Sequence, residues 1–185
     1  MEHKGSRVLK TERLILRPFR ESDAEAMFEN WAHDPEVTKF LTWTPHKNVE
    51  ETRALLKLWE EESKRLNVYH WAIELQGELI GDIALVSVTD NGTAVTGYCL
   101  CKRFWGRGIM TEAYAAVLKY LFEEVGLHRI ESCHAVHNPA SGKVMEKCGL
   151  KYEGTKRKAF RLLSTGEWED IAFRAILEED YFARN

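Results

Sequence analysis

Between Thr93 and Val136 the chain switches element twice while staying apolar. Thr93 to Leu100 alternates like a strand, Thr111 to Val125 carries helical spacing and stops at Gly126, and Ile130 to Val136 is a strand again. A strand, a helix and a strand in direct succession lay the two strands parallel, with the helix crossing one face. The surroundings point the other way. Tyr69, Trp71, Ile73 and Leu75 alternate with polar partners, and Gln76-Gly77-Glu78 makes a turn. Leu79 to Val88 follows, and Asp90-Asn91-Gly92 is a hairpin signal, so three strands form an antiparallel meander. Lys151 to Phe160 and Trp168 to Leu177 flank Ser164-Thr165-Gly166 as a terminal hairpin, and Leu14 to Pro18 is a first strand. The fold class is therefore α+β, a mixed and mostly antiparallel sheet holding one parallel pair.

About four helices cover it. Ser22 with Glu25 three residues on, and Asn48 with Glu51, are capping-box patterns. Leu55, Leu56, Trp59 and Leu66 define the inner face of the second of these helices. Thr111–Val125 is the third, and Pro139 to Lys147, ending at Gly149, is the fourth.

No linker, repeat or low-complexity tract interrupts the 185 residues, so residues 1–185 read as a single domain. With 26 basic against 29 acidic side chains there is no basic excess for nucleic acid. No apolar run approaches the ~20 residues of a membrane span, and the amino terminus lacks an apolar signal core. The four cysteines show no framework spacing and read as reduced thiols of a cytoplasmic protein. Cys133, His134 and His137 invite a metal, but residues 134 and 137 fall on opposite faces of a strand and no third ligand is evident, so no metal is expected.

The segment between the parallel strands carries the chemistry. Arg103-Phe104-Trp105-Gly106-Arg107-Gly108-Ile109-Met110-Thr111 joins a strand to a helix start. Two glycines one residue apart let backbone N–H groups crowd inward, and the helix adds its unpaired N–H groups and positive dipole end. That is an anion site suited to a pyrophosphate. The dinucleotide fingerprint fails, because Thr111 stands where its third glycine would be, and the P-loop spacing is absent.

Arg-x-x-Gly-x-Gly after a meander and before a helix resembles the acetyl-CoA loop of the GCN5-related N-acetyltransferases. The opening Thr11-Glu12-Arg13-Leu14-Ile15-Leu16-Arg17-Pro18 is similar to the ribosomal-protein N-terminal acetyltransferase-like branch. So are Gly97-Tyr98-Cys99-Leu100, Thr111-Glu112-Ala113, His128-Arg129-Ile130-Glu131, Asn138-Pro139-Ala140-Ser141, Glu146-Lys147-Cys148-Gly149-Leu150 and Gly166-Glu167-Trp168-Glu169-Asp170. The resemblance covers residues ~8–180. It implies a sheet splayed at the parallel pair, with the pantetheine arm of acetyl-CoA in the gap against the backbone of Cys99 and Leu100. Trp105, Gly106, Arg107, Gly108, Ile109, Met110 and Thr111 would bind the phosphates.

The resemblance also implies roles beyond the loop. Asn138 would position the pantetheine, and Ser141 would donate a proton or hydrogen bond to the leaving thiolate. The family's tyrosine acid, four residues past this serine, is replaced by Met145. Trp43, Trp71, Tyr98 and Asp170 are candidate acceptor-binding residues, and an aromatic cleft suits a peptide amino terminus or a small amine. Close relatives often carry a carboxylate near residue 160. Here Ala159-Phe160-Arg161 supplies none, so no base is assigned. The expectation is direct transfer of acetyl from acetyl-CoA to a primary amine, either a protein amino terminus or a small molecule. The competing reading is a non-catalytic acyl-CoA-binding regulatory domain. A homodimer is compatible with both.

Overall fold

The computed structural model describes residues 1–184. Its eight strands form one sheet in the order β1-β2-β3-β4-β5-β6-β8-β7. They are β1 (Leu9–Lys10), β2 (Leu14–Arg17), β3 (His70–Leu75), β4 (Glu78–Val88), β5 (Thr93–Leu100), β6 (Arg129–Ala135), β7 (Lys151–Arg161) and β8 (Trp168–Leu177). Every neighbouring pair is antiparallel except β5 and β6, which run parallel. That pair is joined only from Thr93↔Arg129 to Thr96↔Ser132. Beyond it, Gly97 to Leu100 stay paired with β4, and Cys133 to Ala135 stay paired with β8. Between these two half-ladders the sheet splays open.

The described residues form six short or medium α-helices: α1 (Ala24–Met27), α2 (Pro35–Thr38), α3 (Val49–Glu62), α4 (Ile109–Tyr120), α5 (Pro139–Lys147) and α6 (Glu178–Phe182). The two beyond the expected four, α2 and α6, are of four and five residues, too short for their periodicity to show in a sequence. None of the described residues forms a helix long and apolar enough to cross a membrane. One face of the sheet packs Leu16, Ile73, Ile83, Ala94 and Ile130 against Tyr114, Val117 and Leu118 of α4. The other packs Ala72 and Leu79 against Met27, Trp31 and Leu56.

Three local expectations are corrected. Ser22 caps nothing: the turn before α1 is held by the Asp23 carboxylate, which accepts from the Arg20 N–H at 2.8 Å and from the Arg17 guanidinium at 2.8 and 2.9 Å. Leu66 lies past the end of α3 and is exposed. Helix α4 begins at Ile109, because Gly108, at φ +73°, takes the cap position with a left-handed backbone that hydroxyl caps rarely adopt. By contrast Asn48 caps α3 as its spacing predicts, accepting from Glu51 N–H at 2.9 Å.

Candidate active site

The strand-to-helix turn is built from backbone. Gly106 and Gly108 both sit at positive φ, +74° and +73°. A Cβ on Gly106 would meet nothing within 4 Å, so that side of the turn is open. The first N–H to bond within α4 is that of Glu112, to Gly108 O at 3.0 Å. The N–H groups of Ile109, Met110 and Thr111 therefore have no helical acceptor and point out of the helix end. This cradle fits the phosphates that the sequence suggested.

Its position is fixed from the amino terminus. One oxygen of the Glu112 carboxylate accepts from Thr11 Oγ1 at 2.5 Å and Arg13 N–H at 3.0 Å, the other from Arg13 Nε at 2.6 Å. Arg13 Nη1 then donates to the carbonyl of Arg107 at 3.2 Å. Burial alone would raise the Glu112 pKa, but these hydrogen bonds and the guanidinium charge outweigh it and hold the carboxyl below its ordinary range. Glu112 thus latches the turn to β1 and β2. Arg103 is not free for phosphate: it pairs with Glu78 and donates to Asn30 Oδ1. The guanidinium of Arg107 lies over Phe104. Three lysines line the adjoining cavity, Lys39 after α2 and Lys143 and Lys147, four residues apart on α5; none was among the site residues singled out from the sequence.

From Gly106 and Gly108 a cavity of about 430 Å³ runs along Tyr98, Cys99 and Leu100 to Asn138 and Ser141. It is the splay seen from inside. Trp105 stands at its rim, donating its indole N–H to Leu100 O at 2.7 Å. Across the gap, the phenol of Tyr98 donates to Ser141 O at 2.9 Å and lies 3.0 Å from Ser141 Oγ. The carbonyl can only accept, so the phenol proton is committed to it and the Ser141 hydroxyl can donate to the phenol oxygen. Burial holds the Tyr98 phenol far above its usual range, so it stays protonated. Asn138 caps α5, its Oδ1 accepting from Ser141 N–H at 3.4 Å.

The other predicted residues fare differently. Trp71 does not reach the cavity: it is fully buried in the core, its indole donating to Arg7 O at 2.8 Å. Trp43 is half-buried against His46 and the smaller core, away from the cavity wall. Asp170 is used by the backbone: it accepts from Lys158 N–H at 2.9 Å and closes the bulge in β7. The wall expected from Trp43 comes instead from Val37, Phe40 and Leu41. Met145 lies on the buried face of α5, and the phenol near Ser141 arrives from Tyr98 on β5.

The four thiols are free, Cys101 and Cys148 buried and Cys133 exposed. Cys99 donates to Asp82 Oδ1 at 2.7 Å, and burial, with the Asp82 charge beside it, lifts it well above the ordinary thiol range. Burial also raises Cys101, Cys133 and Cys148. Among the described residues no three of His, Cys, Asp and Glu gather as metal ligands.

Residues 13–151 match the family model described as an acetyltransferase (GNAT) domain, three quarters of the chain. The chain belongs to the GNAT acetyltransferase family. Among its GNAT relatives is Probable N-acetyltransferase YjcK of Bacillus subtilis, 34% identical over 94% of this chain and 98% of that protein. A GNAT-family acetyltransferase from Bacillus anthracis superposes with a TM-score of 0.81 at 31% identity, over 94% of this chain and 99% of that one. RimL, a ribosomal L7/L12 alpha-N-protein acetyltransferase solved in complex with coenzyme A, shares the fold with a TM-score of 0.84 at 24% identity, over 92% and 98% of the chains. The splayed parallel pair and the glycine turn of this GNAT chain are thus the features its sequence announced.

Proposed function

We propose that this enzyme, acting as one cytoplasmic domain, moves the acetyl group of acetyl-CoA onto a primary amine in a single ternary complex. One observation carries the reading: a continuous cavity joins the open N–H cradle at Gly106–Thr111 to the Ser141 hydroxyl through the splay. Phosphates of the cofactor bind the backbone of Gly106, Arg107, Gly108, Ile109, Met110 and Thr111, with Lys143 and Lys147 alongside. The pantetheine arm lies between the half-ladders and pairs with the backbone of Cys99 and Leu100, as an added strand would.

The amine nitrogen attacks the thioester carbonyl, the new C–N bond forms, and the C–S bond breaks. The thiolate leaves next to Ser141, whose hydroxyl donates to it, with Tyr98 holding the serine in place and Asn138 fixing the helix end. A neutral, carboxylate-bonded Cys99 favours direct attack over an acetyl-enzyme. The relatives' names and the apolar wall of Val37, Phe40 and Leu41 support a protein or peptide α-amine, or a small amine, as acceptor.

The test is release of free coenzyme A from acetyl-CoA against a panel of amines that includes peptides with free amino termini. Release that requires an amine is expected. An acetyl-cysteine seen by mass spectrometry after incubation without acceptor would overturn the single-complex mechanism.

A further inference from the structure

An amine arrives in water as an ammonium and must lose a proton before it can attack, and the residues described so far leave that proton without a destination. Because β5 and β6 are parallel, the splay opens toward Leu100 and Ala135, the ends of the two strands. Just beyond Ala135, Val136 N–H donates to Asp170 O at 2.9 Å, pinning the following turn to β8. His137 stands in that turn, one residue before Asn138. Its Nδ1 lies 2.8 and 3.0 Å from the two carboxylate oxygens of Glu169. The hairpin bearing Glu169 reaches over the cavity's apolar wall, where Ser164 Oγ donates to Lys39 O at 3.2 Å. Asn138 and the Lys39–Leu41 segment line the cavity, and His137 adjoins Asn138 at that end, its ring lying on a neighbouring depression rather than in the cavity wall.

The chemistry of the pair is directional. Glu169 is only 8% exposed, whereas the His137 side chain is 76% exposed. A carboxylate can only accept, so Nδ1 carries the hydrogen and the lone pair of the neutral ring sits on Nε2. Among the described residues Nε2 has no hydrogen-bond partner, and the ring lines an open depression with Lys158, Glu167 and Trp168. Glu169 is also the cross-strand partner of Phe160, so the two side chains are neighbours on one face of the terminal hairpin.

We propose that His137 takes the proton from the incoming ammonium and that Glu169 is its positioning residue. This rests on the acetyl-transfer reading above. Nε2 accepts one proton from the ammonium and later returns it to water. The neutral nitrogen attacks, the C–N bond forms, and the second nitrogen proton passes to the departing thiolate, giving an amide and a free thiol. The charged groups facing the ring are Glu169 and Asp170 of β8, Lys158 of β7 and Glu167 of the hairpin, and the pH profile belongs to that set.

The full chain with acetyl-CoA and a peptide bearing a free α-amine tests this. His137→Ala is expected to lower kcat by about 10²-fold or more, to leave the acetyl-CoA KM within twofold, and to abolish the acid limb of the kcat/KM profile. Added imidazole should restore part of the rate. Glu169→Gln, which keeps shape and loses charge, should fall between, and nitrogen-15 spectra of the wild type should show His137 protonated on Nδ1. An active wild type whose His137→Ala variant stays within threefold, or a ring protonated on Nε2, overturns the dyad alone. A wild type that binds acetyl-CoA and releases no thiol with any amine overturns the acetyl-transfer reading, and this proposal with it.

Discussion

The two ends of the splay are made differently. At the end proposed for the phosphates, the groups on offer are main chain: two left-handed glycines, an uncapped helix start, and a latch whose strongest partner, Glu112, lies in the same first turn. At the end proposed for the acceptor, nothing local suffices. Val37 and Phe40 come from α2 and the loop after it, His137 from the β6–α5 turn, and Glu169 from β8, each placed by a different long-range pairing. Backbone recognition suits a partner that never changes, and side-chain recognition suits one that differs between relatives.

Substitutions can break that contrast. The largest effect is expected at Gly108→Val, because a β-branched residue at φ +73° costs ~1–3 kcal/mol. Acetyl-CoA affinity by calorimetry should fall roughly 10- to 100-fold with the amine KM unmoved. An unchanged affinity would mean the turn is not the phosphate site. Tyr98→Phe removes a hydrogen bond worth about 0.5–1.5 kcal/mol. It should lower kcat by roughly two- to tenfold for every amine, and an effect confined to one acceptor would place Tyr98 at the acceptor end instead.

Glu112→Gln should cost ~1–2 kcal/mol in urea unfolding at neutral pH. The folded carboxyl is held below its ordinary value near 4.5, so its contribution is full above that value and is lost as pH falls through the lower folded one. The deficit of the Gln variant must therefore shrink in acid, and a gap that persists there would deny the latch its charge. Smallest is Ser164→Ala, which removes one exposed contact between the hairpin and Lys39. A shift of up to about threefold in the amine KM, with acetyl-CoA unaffected, is the expected sign of an acceptor-end residue.

The same contrast explains what could be read in advance. The strands Thr93–Leu100 and Trp168–Leu177 and the helix Pro139–Lys147 fall where periodicity and the flanking glycines put them. The glycine turn was legible because its backbone shape depends on φ and spacing, and both are written locally. Trp71, Trp43 and Asp170 were misplaced because an aromatic or a carboxylate on a central element serves core, backbone or cleft equally well until its partners are known. His137 looked like half of a metal pair. Its real partner lies 32 residues away across two strands, a distance no spacing rule spans.

The latch joins residues about a hundred positions apart, since Thr11 and Arg13 bond to Glu112. During synthesis the amino-terminal residues emerge first and wait unpaired until the first turn of α4 is made. Closing so long a loop is slow compared with forming a local helix. The geometry of the glycine turn therefore depends on a contact of high sequence separation and not on local structure alone.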